Sequence, residues 1–202
     1  MMVIGLTGGI ASGKSTVSNR LKTCYGAEVI DADAIAYELS QQGQPIWRSF
    51  VDHYGPERAL LPDGGLNREG IGQIVFADPE ERRWLDAMAH PLIQGEVQAR
   101  LDRCCAAKAQ VVVLDVPLLF EVGWESMADQ IWVVYVDADT QLRRLIERNH
   151  LAEDLARQRV ASQLSLEEKK QRADVVIDNR GSLADTIRQV DRAWEDAQQQ
   201  EV

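Results

Sequence analysis

The sequence predicts an α/β fold in which a five-stranded parallel sheet lies between two layers of helices. Five short, largely apolar segments have the length and residue types of strands: 3–6, 28–30, 111–114, 131–136 and 175–177. The third and fourth are apolar nearly throughout, which is typical of strands covered on both faces. Helical stretches separate the strands, so right-handed β-α-β crossovers and a three-layer α/β/α sandwich are expected.

A glycine-rich loop follows the first strand and precedes a helical stretch. Residues 8–15 read G-G-I-A-S-G-K-S and fit the phosphate-loop pattern G-x-x-x-x-G-K-[ST] at every required position. Glycines let the backbone curl so that its N–H groups meet phosphate oxygens, and the helix N-terminus adds positive charge. Lys14 supplies a full charge for the β- and γ-phosphates, and Ser15 offers a hydroxyl to Mg²⁺. The strand and helix around the loop disfavour a chance glycine turn with a surface lysine. The predicted nucleotide-binding residues of the loop are Gly8, Gly9, Ile10, Ala11, Ser12, Gly13, Lys14, Ser15 and Thr16.

Composition excludes several classes of partner. The chain has 202 residues, a formal net charge of −10 and a pI of about 4.8, which argue against a broad nucleic-acid or anionic-membrane surface. No apolar run is as long as a membrane span, and no basic region opens a signal peptide. Three cysteines, two of them adjacent, do not suggest a disulfide framework. We expect a cytoplasmic protein with reduced thiols.

Two segments exceed what the sheet needs. Roughly eighty residues separate the second and third strands, more than one crossover helix requires. Prolines in this stretch predict several short helices, which would form a substrate-binding lobe over about 35–105. These prolines are Pro45, Pro56, Pro62, Pro79 and Pro91. The polar, arginine-bearing stretch at about 142–170 suits a mobile helical lid. We therefore predict one domain over 1–202 with these two additions.

Acidic residues follow two strands. Asp31 and Asp33 come directly after the second strand, and the carboxyl ends of parallel strands are where ligands bind. Asp33 is expected opposite the loop, as a general base or as a Mg²⁺ ligand through water, and a catalytic or metal role is open for Asp31 as well. The alternative is that Asp33 caps the helix 34–39. Asp115 follows the third strand, either as a Walker B aspartate that orients Mg²⁺ or as a strand end facing solvent.

Other candidates have ordinary alternatives. The apolar residues of 116–121 suit an organic substrate and Glu121 suits a hydroxyl, but simple loop packing explains them nearly as well. His90 precedes a proline, and pinning a helix is commoner for such a histidine than touching substrate. One or two lid arginines are expected to contact ATP, with Arg148 first, although most helical arginines are solvated or paired. These arginines are Arg143, Arg144, Arg148, Arg157 and Arg159.

Taken together, these motifs resemble the dephospho-coenzyme A kinase family almost from end to end. The matching segments are 4–10, 12–16, 31–33, 35–36, 66–68, Phe76, 90–93, 116–121, 140–142, Arg148, Arg159, Gln163, 173–174 and 176–179. The loop alone is weak support for any one kinase, whereas the combination is specific.

The resemblance implies a P-loop nucleotide-kinase fold and transfer of the γ-phosphoryl group of ATP to the ribose 3′-hydroxyl of dephospho-coenzyme A. It implies Asp33, Lys14 and Arg148 as catalytic residues and Ser15 with Asp33 as Mg²⁺ ligands. Asn179 would lie near the adenine. The implied substrate residues are Thr7, Asp33, His90, Leu118 and Glu121.

Rivals on the same evidence are another small-molecule or nucleoside kinase and a GTP-dependent switch. The chain carries no Asn-Lys-x-Asp guanine motif after a strand, which counts against the switch. A monomer or small homo-oligomer is expected.

Overall fold

The computed structural model describes residues 1–199, whose five strands form one all-parallel sheet. The strands are β1 (Met2–Gly8), β2 (Glu28–Asp31), β3 (Val111–Asp115), β4 (Gln130–Tyr135) and β5 (Val175–Asp178). Their order in the sheet is β2-β3-β1-β4-β5. Each predicted strand overlaps an observed one, and the predicted α/β class is confirmed.

The central strand places the glycine loop at the carboxyl edge of the sheet. All seven residues of β1 are buried, as expected for a strand with neighbours on both sides and helices on both faces. Leu6 lies opposite Asp115 of β3 and Trp132 of β4. The end of β3 is therefore adjacent to the start of the loop.

Ten α-helices occur in the described part of the chain. They are α1 (Lys14–Tyr25), α2 (Ala32–Leu39), α3 (Pro45–Tyr54), α4 (Pro56–Ala59), α5 (Arg68–Ala77), α6 (Pro79–Ala106), α7 (Ala138–Asn149), α8 (Glu153–Ala161), α9 (Leu166–Gln171) and α10 (Leu183–Gln199). Helices α1 and α10 share a core with β1, in which Tyr25 stacks on Trp194 at 5.0 Å between ring centroids. None of these helices is both long enough and apolar enough to cross a membrane.

The chain divides into two compact units. One comprises Met1–Ile30 together with the chain from Cys104 onward, and the other is Asp31–Arg103. The second unit has its own apolar core, in which Phe50 packs edge-on against Trp84 and His53 stacks on Trp84 at 3.7 Å. The single domain with an insertion and a lid stays a prediction.

Prolines divide the second unit less than the sequence predicts. Pro45, Pro56 and Pro79 each begin a helix, where a missing N–H costs nothing. Pro91 lies inside α6, which continues from Pro79 to Ala106, so the expected break there is wrong. Buried contacts of α6 on both sides of the proline, at Ala89, Val97 and Leu101, offset the roughly 3 kcal/mol that an interior proline costs.

Candidate functional site

The glycine loop has the backbone of an anion site. Ala11 and Gly13 have positive φ values of 60° and 91°, and the amide of Ser12 donates to the Gly9 carbonyl at 3.1 Å. Helix α1 begins at Lys14 with Gly13 at its N-cap and no side-chain hydrogen bond to its first amides. Because these amides lack a side-chain acceptor, the helix N-terminus is suited to bind an anion.

Space as well as conformation favours glycine in this loop, because the neighbouring side chains are hydrogen-bonded where a Cβ would displace them. A Cβ at Gly13 would collide with the side-chain amide of Asn179, and one at Gly9 would collide with that of Gln141 and lie 3.1 Å from Leu166 Cγ. Other parts of the chain therefore pack directly against the loop backbone, and this close packing fixes its shape.

Two glutamines hold the next loop residue by both of its backbone groups. The Ile10 N–H donates to Gln163 Oε1 at 2.8 Å, and the Ile10 carbonyl accepts from Gln141 Nε2 at 3.0 Å. The sequence indicates both glutamines only through the family resemblance, with no role for either. Their contacts leave the hydrogen-bonding capacity of Ile10 satisfied within the protein.

Ser12 carries a buried hydroxyl that lacks a partner. Its side-chain oxygen makes no hydrogen bond in the described structure, and the residue is fully buried. Leaving such a group unsatisfied costs about 1–3 kcal/mol. An acceptor supplied by a bound ligand would remove that cost, so the orphaned hydroxyl supports phosphate binding at the loop.

The Lys14 ammonium forms an ion pair with the Asp115 carboxylate. Asp115 is the last residue of β3 and only 3% exposed, so the alternative of a strand-end aspartate facing solvent is wrong. The pair holds the lysine at the loop, where a polyphosphate would compete with the carboxylate for its charge. A role of Asp115 in orienting Mg²⁺ stays a prediction.

Asn179 links the loop to the end of the sheet. Its Nδ2 donates to the Ser12 carbonyl at 2.7 Å, and its Oδ1 accepts from the Thr186 hydroxyl at 2.7 Å. Arg144 donates to the Asn179 carbonyl at 3.0 Å. Because the amide of Asn179 is committed to these partners, the residue supports the loop; its contact with adenine stays a prediction.

Three predicted substrate residues lie in the same unit as the loop. Thr7 is fully buried, and its hydroxyl donates to the Pro117 carbonyl at 3.0 Å. Glu121 pairs with Lys169 at 2.9 Å and accepts the Leu164 N–H at 2.9 Å. Leu118 is 36% exposed in the turn after β3. The polar atoms of Thr7 and Glu121 are thus bound within the protein, and all three substrate contacts stay predictions.

The predicted ATP-contacting arginines divide into several environments. Arg148 is exposed in the last turn of α7 and donates its Nε to Asn149 Oδ1 at 2.9 Å. Arg157 pairs with Glu153 on the surface of α8. Arg143 and Arg159 are exposed. A catalytic or ATP-binding role for Arg148 stays a prediction.

The remaining candidates belong to the second unit. Asp31, rather than Asp33, caps α2: its Oδ1 accepts the N–H of Asp33 at 2.9 Å and that of Ala34 at 3.1 Å. The capping alternative for Asp33 is therefore wrong, because the helix starts earlier than expected and Asp33 lies exposed in its first turn. His90 lies within α6, with its Nε2 3.6 Å from Asp86 Oδ1. Their catalytic and substrate roles stay predictions.

Lys169 is the residue that sequence reasoning missed. Its side chain is fully buried, and its Nζ donates to the Pro117 carbonyl at 2.8 Å and lies 3.5 Å from the Gly8 carbonyl. Burial lowers the pKa of Lys169, and Glu121 opposes that shift. Ser165 and Glu168 form a capping box that starts α9, which places Leu166 and position 169 on one helical face. This capping box is the sequence signal from which the burial of Lys169 beside Leu166 could be inferred.

The donors at the loop suit a nucleotide that brings its own metal ion. No group of three or more His, Cys, Asp or Glu side chains that could hold a metal occurs within residues 1–199. Mg²⁺ at phosphates needs only one or two protein oxygens, because phosphate oxygens and water complete its shell. The exposed Ser15 in the first turn of α1 fits such a role.

The comparisons with known proteins decide the family. The family model described as CoaE, dephospho-CoA kinase, matches residues 2–185. This chain belongs to the dephospho-CoA kinase family. The dephospho-CoA kinase of Symbiobacterium thermophilum is 51% identical over 194 residues, 96% of this chain and 80% of that protein.

Two solved structures resemble this chain over nearly its full length. A Thermus thermophilus protein designated TT1252 is 32% identical, with a TM-score of 0.80 over 100% of this chain and 98% of its own. The dephospho-CoA kinase of Campylobacter jejuni is 25% identical, with a TM-score of 0.74 over 99% and 98%. Both likenesses therefore include the sheet, the loop and the second unit.

Proposed function

We propose that this chain transfers the γ-phosphoryl group of ATP to the ribose 3′-hydroxyl of dephospho-CoA, which yields CoA and ADP in the last step of CoA synthesis. The observation that carries the proposal is the loop 8–15. Its amides and Lys14 form a phosphate site in a chain of the dephospho-CoA kinase family. Phosphoryl transfer depends mainly on positioning and charge stabilisation, which is what such a loop supplies.

The loop holds the polyphosphate of ATP. The amides at the start of α1, which have no side-chain cap, and the Ser12 hydroxyl donate to its oxygens, while Lys14 exchanges its bond to Asp115 for the β- and γ-phosphates. Asp115 then remains beside the phosphates. Negative charge shifts toward the leaving group during phosphoryl transfer. The Lys14 ammonium therefore interacts more strongly with the phosphate oxygens in the transition state than in the ground state.

Ser15 and Asp33 would hold Mg²⁺, which neutralises charge on the β- and γ-oxygens when bound. Asp33 accepts the proton of the 3′-hydroxyl as that oxygen attacks, and Arg148 stabilises the transferring group. Thr7, His90, Leu118 and Glu121 contact the acceptor. These roles rest on the family resemblance and on residue chemistry. A cytoplasmic location and a monomeric or small homo-oligomeric state belong to the same proposal.

A substrate panel tests the proposal. ADP release would be measured in a coupled assay with dephospho-CoA, adenosine, nucleoside monophosphates and shikimate as acceptors. Of these acceptors, we expect only dephospho-CoA to support turnover. That turnover should be lost when a chelator removes Mg²⁺. Equal turnover with a nucleoside monophosphate or with shikimate would show that the acceptor is wrong, even though ATP is used.

A further inference from the structure

Side chains spaced three residues apart contact three consecutive residues of the phosphate loop. Gln163 accepts the amide of Ile10, Leu166 packs over Gly9, and the ammonium of Lys169 lies 3.5 Å from the Gly8 carbonyl. The first residue precedes α9 and the other two lie on it, so one edge of the helix follows the loop backbone. Contacts in register with three successive peptide units favour one loop conformation over its alternatives.

The Lys169 ammonium uses all three of its donors at this place. Besides the Gly8 carbonyl, it donates to the Pro117 carbonyl at 2.8 Å and pairs with Glu121 at 2.9 Å. Pro117 follows the strand that ends in Asp115, the partner of Lys14. One buried cation therefore joins α9, the first loop residue and the segment that leads from Asp115 to Glu121.

Stability alone does not account for a charge at this position. Replacing a buried ion pair by apolar side chains of similar size is often neutral or stabilising. The Lys169 side chain is fully buried, and its pKa is lowered by that burial and, to a smaller degree, by Lys14. The folded chain thus keeps a second ammonium near Lys14 despite its desolvation, which points to a function at the loop.

We propose that Lys169 is a positioning residue for phosphoryl transfer: its ammonium ties the Gly8 carbonyl to the Pro117–Glu121 segment and so keeps the loop amides directed at the phosphates. The residue acts through the loop and does not touch ATP. The inference rests on the proposed ATP site, and it adds a contact on the far side of the loop to the phosphate contacts described above.

Calorimetric titration with ATP in the absence of dephospho-CoA tests this role. The variants are Lys169→Met, the double variant Lys169→Met with Glu121→Gln, and the matched control Lys170→Met. The double variant removes both charges, so that no unpaired buried carboxylate remains to prevent folding. Lys170 is the exposed neighbour on the same helix, and its ammonium lies over the Tyr135 ring at 4.4 Å.

We expect the dissociation constant of ATP to rise about tenfold or more in both Lys169 variants, because a charge-assisted hydrogen bond to the loop is lost. The control should stay within about twofold of the wild type. The double variant should unfold near the wild-type temperature while its ATP affinity remains low. That combination separates positioning from structural support, because a structural role would move the melting temperature and the binding stoichiometry and leave the dissociation constant unchanged.

Wild-type ATP affinity in a folded double variant would overturn the inference. If the wild type binds ATP more tightly than both Lys169 variants but does not phosphorylate dephospho-CoA, the proposed acceptor is refuted and the role of Lys169 is supported. A wild type that binds no ATP would overturn both proposals. The two proposals therefore fail on different measurements.

Discussion

Helices α1 and α2 both follow a strand of the sheet, yet they satisfy their first amides in opposite ways. Helix α2 begins behind Asp31, whose carboxylate accepts two backbone N–H groups, and carries Asp33 in its first turn. The N-cap residue of helix α1 is Gly13, which offers no side-chain acceptor. The first turn of α1 has Lys14 and Ser15 and no acidic residue. A capped helix start needs no ligand, whereas an uncapped one beside a cation is ready for an anion.

The surroundings of the two helix starts differ in the same sense. The loop before α1 is held by side chains from distant parts of the chain, among them Gln141, Gln163 and Asn179. The turn before α2 makes its cap bonds locally, between Asp31 and the next residues. Distant supports leave the inner face of a loop free for a ligand while they fix its outer face. The contrast predicts that changes at α1 affect ATP, and that changes at α2 affect stability or the acceptor step.

The largest expected effect is that of Lys14→Ala. Removing the charge that serves the β- and γ-phosphates should lower kcat by about 10³-fold or more, equivalent to about 4 kcal/mol. Circular dichroism should show a folded protein, and the coupled assay should show almost no turnover. Lys22→Ala, an exposed change in the last turn of the same helix, should leave turnover within about twofold. Normal turnover by Lys14→Ala would refute the role assigned to the loop.

The second effect concerns the acidic residue in the first turn of α2. Asp33→Asn should lower kcat by about 10²-fold, because general-base catalysis contributes about that much or more. Its ATP affinity and melting temperature should match the wild type, since Asp31 provides the cap. Asp52→Asn, an exposed change on α3, is the control. An equal loss of ATP binding in Asp33→Asn would show that the carboxylate acts chiefly through Mg²⁺ or through the structure, and that its part as the base is wrong.

The elements that sequence predicts well are those with local signals. The strand 111–114 is apolar at every position, which is the pattern expected of a parallel strand covered on both faces. The loop 8–15 could be placed because its chemistry requires fixed residue types at fixed spacing. The sequence misplaces the start of α2 because Asp31 and Asp33 are equally good capping residues, and only the backbone conformation distinguishes them.

The elements that sequence predicts poorly are decided by tertiary contacts. Pro91 would end an isolated helix, but the packing of α6 on both sides of it keeps the helix continuous. Lys169 stands in a charged stretch that is typical of a solvated face, and its burial depends on Glu121 and two backbone carbonyls far away in sequence. A buried charge is tolerated only when such partners exist. A single sequence does not display them.

The third effect compares two glycines at opposite ends of α1. Gly13 and Gly26 both have left-handed backbone, with φ of 91° and 66°, but a Cβ at Gly13 would collide with Asn179 whereas one at Gly26 would meet open space. Gly26→Ala should cost about 1 kcal/mol of unfolding free energy and leave ATP binding intact. Gly13→Ala should cost about 1–2 kcal/mol more and weaken ATP binding severalfold. Chemical denaturation and calorimetry measure both. Identical behaviour of the two variants would show that the packing of Asn179 against the loop is unimportant.

The smallest effect belongs to the cap that makes α2 independent of a ligand. Asp31→Ala removes the acceptor of two amides and should lower the free energy of unfolding by about 1 kcal/mol. Asp31→Asn should lose only a small part of this, because asparagine caps a helix start about as well as aspartate. Neither change should alter the dissociation constant of ATP, because the cap bonds stay within the turn that starts α2. Chemical denaturation of the three proteins measures the difference. If Asp31→Asn loses activity while keeping its stability, the Asp31 carboxylate does more than cap the helix. The start of α2 would then serve catalysis as well as stability, which its hydrogen bonds alone do not indicate.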